Sequence, residues 1–220
     1  MAVRPRIPET AEGIQDEITV EQYDRMLRRL RDRGFMETKS LIASGVCQGE
    51  ALEVGPGPGY LGLEWLRLTE GTHLTGVEIS PAMIELAQRN ADEYGLRGRV
   101  QYVLGDAQQM PFDDHRFDAV FTNGSLHEWG DPALVLGEIH RVLRRGGRFF
   151  VSDLRRDMLA PVRWLLWWST RPREIRPGLI TSIDAAYTRP ELEALLERTP
   201  LRGARVKTNP LGVEIVGQAS

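Results

Sequence analysis

Short apolar runs alternate with longer amphipathic stretches through the middle of the chain. In the longer stretches, apolar residues recur every three or four positions, as on one face of a helix. Met83, Ala87 and Ala91 are one example, in a stretch that ends at Gly95. The apolar runs predict five strands, over residues 51–54, 73–78, 100–104, 117–122 and 148–152. Strands and helices in alternation indicate an α/β domain, with a parallel sheet covered by helices on both faces.

Capping residues predict where several helices begin. Ser80-Pro81 and Asp131-Pro132 each place a capping side chain before a proline, which fits the first helical position. Thr19 and Gln22 have the spacing of a capping box, so a helix is predicted from Thr19. The helix after Asp131 is predicted to end at Gly146-Gly147.

The two ends of the chain depart from this alternation. Residues 1–18 are rich in proline, glutamate and arginine, and we interpret them as a loose arm. Residues 153–187 form an insertion rich in arginine and tryptophan. A second capping box, Thr188 to Glu191, then predicts a helix, and two closing strands are expected over 202–208 and 213–217.

Composition narrows the class of protein. The chain has 220 residues, 41% of them hydrophobic, which suits one globular domain. A net charge of -3 argues against a dedicated DNA-binding protein. The single cysteine, Cys47, excludes an intramolecular disulfide framework. Without a signal-like or membrane-spanning apolar run, a cytoplasmic location is expected.

A glycine-rich turn follows the first strand of the alternating region, within Glu53–Gly59. Such turns let a ligand approach the backbone closely. The dinucleotide fingerprint would need a third glycine where Tyr60 stands, and Pro56 and Pro58 lack the N–H groups that hold a pyrophosphate. The turn therefore favours a ligand without phosphate, and Glu53 at the strand end could accept a hydrogen bond from such a ligand.

Two acids follow the next strands in register. Glu78 ends the second strand, where an acid typically accepts hydrogen bonds from ribose hydroxyls. Asp106 ends the third strand, where it could accept a bond from an adenine amino group. Together with the glycine turn, these acids predict a nucleoside-containing cofactor.

These motifs resemble those of the class I S-adenosylmethionine (SAM)-dependent methyltransferases, in the broad small-molecule group often called type 11. The resemblance covers about residues 45–155. It rests on Glu53–Gly59, Val77–Ser80, Gly105–Ala107 with Met110–Phe112, Phe117–Val120 and Leu143–Gly147.

The resemblance implies a Rossmann-like sheet of seven strands, mainly parallel, with only the last strand antiparallel. It also implies SAM as cofactor and S-adenosylhomocysteine as product. The cofactor-binding residues it implies are Glu53, Gly55, Pro56, Gly57, Gly59, Glu78, Ile79, Met83, Gly105, Asp106, Ala107, Asn123 and Gly124.

The acceptor side is less well defined. The family often has a Leu-His-His-aromatic run after the fourth strand, and this chain has Leu126-His127-Glu128-Trp129 instead. His127 is the candidate catalytic base, because an ordinary histidine pKa suits proton removal at neutral pH, although a role in shaping the loop or touching the cofactor is slightly favoured over it. The candidate acceptor-binding residues are Tyr23, Tyr60, His127, Glu128, Trp129 and Trp164. No metal site is expected from the spacing of ligands.

The insertion contains a segment, 158–168, that is apolar around nearly its whole circumference. A helix that is apolar all round needs another surface that buries its side chains. We favour a lid over an apolar acceptor pocket, ahead of a homodimer face. Contact with a membrane surface is less favoured, and RNA contact through the arginines comes last.

The sequence thus predicts a single methyltransferase domain over 1–220 that acts on a small, partly apolar acceptor. Its parts would be an N-terminal helical cap (1–45), a cofactor-binding core (46–153), a lid insertion (154–187) and a closing helix with strands (188–220). The alternatives are a methyltransferase for lipid headgroups or tRNA and a non-catalytic SAM-binding protein.

Overall fold

A computed structural model describes residues 4–9, 14 and 16–220 of the chain. The described residues form a seven-stranded sheet and eight α-helices. The strands are β1 Glu50–Val54, β2 His73–Glu78, β3 Val100–Leu104, β4 Phe117–Asn123, β5 Leu143–Leu154, β6 Arg205–Thr208 and β7 Gly212–Gln218. The helices are α1 Glu17–Asp32, α2 Thr38–Ala43, α3 Tyr60–Leu68, α4 Pro81–Glu93, α5 Pro132–Val142, α6 Ala160–Ser169, α7 Arg176–Ala185 and α8 Arg189–Leu196. Two short 3-10 helices cover Leu126–Glu128 and Arg173–Ile175.

The strand order is β3-β2-β1-β4-β5-β7-β6. The pairings among β1 to β5 are parallel, and β7 is antiparallel to both of its neighbours. Because β6 is also antiparallel to β7, only β7 runs against the other six strands. This confirms the Rossmann-like α/β fold predicted from the sequence.

The central strands are buried on both faces, as parallel strands covered by helices must be. Leu52 of β1 packs in a core with Val135 of α5 and Leu192 of α8. Its neighbour Ala51 points the other way, into a second core that includes Trp65 of α3. The alternation along β1 therefore places helices on both sides of the sheet.

Helix α1 begins one turn earlier than predicted. Its N-cap is Asp16, whose side chain accepts the backbone N–H of Thr19 at 2.9 Å. Thr19 lies within the first turn, so the predicted start at Thr19 is wrong. Aspartate caps at least as well as threonine, and Asp16 supplies the earlier start. The predicted caps at Ser80, Asp131 and Thr188 are present.

The boundary between α5 and β5 also differs from the prediction. The helix ends at Val142, and β5 begins at Leu143 rather than after Gly146-Gly147. The pairing with β4 shifts register between Phe117 and Ala119, so the glycines lie in a bulged start of the strand. Gly146 has a φ of 77°, a conformation that favours glycine, which explains why the pair resembled a helix end.

The N-terminal segment is held in place where it is described, contrary to the loose arm that we expected. The Ile7 N–H donates to the Asp184 carbonyl at 3.0 Å. The Arg6 side chain donates to the carbonyls of Ala185, at 2.6 Å, and His127, at 3.1 Å. Residues 4–9 thus join α7 to the loop after β4.

The insertion folds as α6, a 3-10 turn and α7. No residue of α6 is buried, although the helix is almost entirely apolar. Among the described residues, no helix combines the length and the apolar character needed to cross a bilayer.

Candidate cofactor and acceptor site

A cavity that is open to solvent lies at the carboxyl ends of the central strands. It lies where the strand order reverses, since β1 is flanked by β2 on one side and β4 on the other. Ligands of open α/β sheets bind in this crevice. Of the predicted site residues, the cavity is lined by Tyr23, Glu53, Gly55, Pro56, Gly57, Tyr60, Glu78, Ile79, Met83, Gly105, Asp106, Ala107, Asn123, Gly124, Glu128 and Trp129.

The glycine turn brings backbone close to this cavity. Gly55 has a φ of 63°, and a Cβ added there would lie 2.9 Å from the Cβ of Ser125. A larger residue at this position would be strained and would crowd the loop after β4. Gly59 serves differently, as the left-handed N-cap of α3, and it does not line the cavity.

Glu53 is buried at the floor of the cavity. Its Oε2 atom has no hydrogen-bond partner among the described residues. Burial raises the pKa of Glu53 well above its usual range. The Oε2 atom packs against Gly62 of α3, while the residue as a whole lines the cavity, where a positively charged group of a ligand could approach the carboxyl group.

Glu78 is held rigidly at the end of β2. Its Oε2 accepts the N–H of Gly57 at 3.0 Å, and its Oε1 accepts the N–H groups of Ile79 and Ser80, each at 3.0 Å. Burial raises the pKa of Glu78, and these three backbone donors act to lower it. The carboxyl group is therefore fixed against the glycine turn, with lone pairs left for a further donor.

Asp106 lies in a different environment, since its side chain is exposed at the rim of the cavity. Its Oδ1 accepts the N–H of Gln108 at 2.8 Å. Across the cavity, Asn123 donates to Glu37 at 3.0 Å and to Ser152 at 2.9 Å.

His127 is buried and does not line the cavity. Its Nδ1 lies 2.8 Å from an oxygen of Asp153, while its Nε2 lies 3.4 Å from Glu9 and 3.9 Å from Glu128. Burial acts to lower the pKa of His127, but the surrounding carboxylates, with Asp153 foremost, raise it to about 9. The raised pKa favours the protonated ring at pH 7, whereas we had expected an ordinary histidine pKa.

Glu128 lines the cavity beside this ring. Burial is the main cause that raises the pKa of Glu128 to about 7, with contributions from Glu9 and Asp153, against the opposing effect of His127. A carboxyl group with a pKa near neutrality at the edge of a cavity can accept or return a proton at physiological pH.

The other predicted acceptor-binding residues divide into two groups. Tyr23 and Trp129 line the cavity directly, and Tyr60 lines it while its hydroxyl donates to Asp24 at 2.7 Å. Trp164 lies elsewhere, on α6, with 61% of its side chain exposed. No residue of α6 lines this cavity, so the predicted role of Trp164 at the acceptor stays a prediction.

Several site residues were missed from the sequence. Asp153 follows the core of β5, and its position at the carboxyl end of a central strand is a signal that could have found it. Glu9 gave no signal, because it lies in the segment interpreted as a loose arm. The missed residues of the cavity wall are Ile14, Leu27, Met36, Val54, Leu61, Val77, Gln108, Ser125, Gly130 and Val135.

Oxygen and nitrogen atoms of Glu9, His127 and Glu128 lie within 4.8 Å of one another, a spacing that a metal ion could use. A protonated His127 ring also explains why these three groups lie close together, since its positive charge offsets the negative charges of Glu9 and Glu128. The expectation that the chain binds no metal stays a prediction.

Known proteins share this fold and these motifs. Residues 52–151 match a family model described as a methyltransferase domain. The ubiquinone/menaquinone biosynthesis C-methyltransferase of Proteus mirabilis is 30% identical over 125 residues, which are 56% of this chain and 50% of that protein. An O-methyltransferase of Aspergillus nomiae is 34% identical over 110 residues, which are 50% of this chain and 48% of that protein.

A SAM-dependent methyltransferase from Aquifex aeolicus has a similar structure, with a TM-score of 0.71, 19% identity and coverage of 94% of this chain and 100% of that one. This likeness concerns the fold. The chain spans about half the length of the curated relatives it matches. Residues 52–151 thus match a methyltransferase-domain family, and the chain shares the fold of a SAM-dependent methyltransferase.

Proposed function

We propose that the protein transfers a methyl group from SAM to a small, partly apolar acceptor. The observation that carries this proposal is the pair of buried acids Glu53 and Glu78, which line the same cavity, with Glu78 fixed against the glycine turn. Glu53 lies next to the end of β1 and Glu78 ends the adjacent strand β2, so each acid could hold a different part of an elongated nucleoside cofactor. Relatives named as C- and O-methyltransferases are compatible with the reaction, and they leave the methylated atom open.

In this proposal Glu53 accepts a hydrogen bond from the ammonium group of the cofactor. Gly55 and Gly57 let the methionine portion of the cofactor approach the backbone. Glu78 accepts the ribose hydroxyls, and Asp106 contacts the adenine. Asn123 and Gly124 lie near the reacting end. We keep the chain as one domain, with α1 supplying Tyr23 and Leu27 to the cavity wall.

When bound, SAM supplies a methyl group on a positively charged sulfur. Glu53 and Glu78 would hold the cofactor, the acceptor would bond to this carbon, and the electrons of the broken carbon–sulfur bond would stay on S-adenosylhomocysteine. The leaving group is already good, so the protein mainly aligns the acceptor and excludes water. Tyr23 and Trp129 lie in the cavity wall and can perform this alignment.

An acceptor that carries a proton must lose it, and Glu128 is the group placed to take it. Glu128 lines the cavity, whereas His127 is buried beside it and already protonated at pH 7. We therefore assign His127 to positioning, because its positive charge stabilises the ionised form of Glu128. This assignment replaces His127 as the proposed base.

Calorimetric titration with SAM, S-adenosylhomocysteine and NADH tests the proposed cofactor site. We expect micromolar binding of the first two and none of NADH. Release of S-adenosylhomocysteine in the presence of phenolic and other partly apolar acceptors then tests turnover. Binding of NADH, without binding of either SAM or S-adenosylhomocysteine, would contradict the proposal.

A further inference from the structure

The surface of α6 is unusual because its large apolar side chains point to solvent. Trp164, Leu165 and Trp168 have 61%, 56% and 54% of their side chains exposed. Trp164 and Trp168 stack with ring centroids 6.3 Å apart. Exposed apolar side chains clustered in this way generally mark a contact with another molecule or a membrane.

Cations border this apolar cluster on one side. The Arg176 guanidinium lies 4.4 Å from the ring centroid of Trp167, and that of Arg171 lies 6.0 Å from Trp168. Arg173 is exposed beside them. We call these three arginines, with Trp164, Leu165, Trp167 and Trp168, the Trp–Arg surface.

The local charge is opposite to that of the whole chain. Residues 159–180 contain four arginines and one glutamate, Glu174, whereas the chain has a net charge of -3. One of the four, Arg163, pairs with Asp184 at 2.9 Å. Desolvation and the nearby charges of Arg171 and Arg173 lower the pKa of Arg176. The remaining cations are therefore crowded, and a negatively charged partner would relieve this repulsion.

We propose that the Trp–Arg surface docks on an anionic lipid bilayer. Tryptophan rings and leucine side chains would enter the boundary between headgroups and acyl chains, and the arginines would contact lipid phosphates. The stacked guanidinium groups would remain at the level of the headgroups, as arginine side chains with apolar stems do.

A second copy of this chain fits the surface less well. A two-fold contact sets the same patch against itself, so Arg171, Arg173 and Arg176 would face their own copies. Acidic side chains to pair with them are scarce on the patch, where Glu174 stands alone within 159–180. Charge complementarity therefore favours the bilayer.

Docking of the Trp–Arg surface would also determine where the cavity lies relative to the bilayer. Helix α6 is followed by α7, which contacts the 3-10 helix Leu126–Glu128 beside the cavity. Docking through α6 would bring this side of the domain towards the bilayer, where partly apolar molecules concentrate.

Sedimentation with lipid vesicles tests the proposal without any need for turnover. We expect binding to vesicles of mixed phosphatidylcholine and phosphatidylglycerol, weakened by added salt, and little binding to phosphatidylcholine alone. Leu165→Ser should weaken binding by about tenfold, since a leucine side chain would no longer be buried. Leu134→Ser, on α5, is the matched control, because Leu134 is 54% exposed outside the surface.

A matched pair of arginine variants tests the electrostatic part. Arg173→Gln should weaken binding by about fivefold, as expected for one arginine near an anionic bilayer. Arg198→Gln, an exposed arginine after α8, should have no effect. Quenching of tryptophan fluorescence by brominated lipids should affect the three tryptophans of α6, while Trp65 and Trp129 are buried.

Two results would overturn the proposal. One is equal binding, or no binding, to anionic and neutral vesicles. The other is a dimer in solution that dissociates on Leu165→Ser, which would assign the surface to a second copy of the chain. Both measurements use the folded protein and need no acceptor, so they are independent of the proposed methyl transfer.

Discussion

Asp153 holds His127 through both its ring and its backbone. One carboxylate oxygen lies 2.8 Å from Nδ1 of the ring, and the other accepts the backbone N–H of His127 at 2.7 Å. Both side chains are buried. An imidazolium ring fixed in this way presents its remaining N–H to Glu9 and Glu128. The ion pair between His127 and Asp153 therefore also orients the two carboxyl groups beside the cavity.

Replacement of Asp153 should lower the pKa of His127. In Asp153→Asn the ring loses its strongest favourable charge, and burial should then lower its pKa from about 9. Proton-detected NMR of the ring during a pH titration measures this change. Asp118→Asn, which removes an ion-paired aspartate at the opposite end of the sheet, is the control. An unchanged titration of His127 in Asp153→Asn would refute the assigned cause.

The same pair makes stability depend on pH. The pKa of His127 is higher in the folded protein, about 9, than its usual value of 6.5, so protonation favours folding. This stabilisation is fully present below pH 6.5 and is lost as pH rises through 9. Asp153→Asn should cost about 3 kcal/mol below pH 6.5, because it leaves a buried charge unpaired. Chemical denaturation at several pH values should show this difference shrinking towards pH 9.

Activity should depend on the ionisation of Glu128. If the acceptor must lose a proton, kcat/KM should rise with pH through about 7, where Glu128 becomes a carboxylate. Glu128→Gln should remove this rise and lower kcat by about 100-fold, with little change in the affinity for SAM. Glu50→Gln, at the exposed start of β1, should retain the wild-type profile. A rise through pH 7 that persists in Glu128→Gln would exclude Glu128 as the base.

Glu53→Gln should weaken the affinity for SAM without lowering the stability of the ligand-free protein. A neutral amide avoids the cost of a buried carboxylate without a partner, so the ligand-free variant should be at least as stable as the wild type. The affinity for SAM should fall by about tenfold, because a charged acceptor for the ammonium group is lost. Thermal unfolding with and without SAM measures both effects. Glu50→Gln, on the same strand, is again the control.

The acids at the ends of β2 and β3 should contribute unequally. Glu78→Ala should weaken SAM binding by about 2–3 kcal/mol, since this buried side chain also orders the glycine turn. Asp106→Ala should cost about 1 kcal/mol, because Asp106 is exposed. Calorimetric titration, with circular dichroism to confirm the fold, compares the two variants. Equal SAM affinity in Glu78→Ala and the wild type would contradict the site.

The core of the fold was predictable because its elements are specified locally. Strand β1 is short and apolar, and helix α4 carries both a serine cap and a regular apolar face, so pattern and structure agree. The start of α1 was missed because Asp16 and Thr19 are both good caps one turn apart. Local sequence cannot decide between such alternatives when packing selects one of them.

The charged part of the site was less predictable. His127 and Glu128 are adjacent in sequence, but their pKa values depend on Asp153 and Glu9, which are distant in the chain. Likewise, the apolar pattern of α6 indicated that the helix needs a partner surface, but it did not indicate which molecule supplies that surface. Long-range contacts decide both questions.

The hydrogen bonds of Arg6 have a consequence for protein synthesis. Arg6 leaves the ribosome early, but its acceptors are the carbonyls of His127 and Ala185, 121 and 179 positions further along the chain. The parallel strands β1 to β5 can pair before residue 185 is translated, whereas this N-terminal segment must wait for it. We therefore expect the acidic surroundings of His127, which include Glu9, to assemble only after residue 185 has been translated.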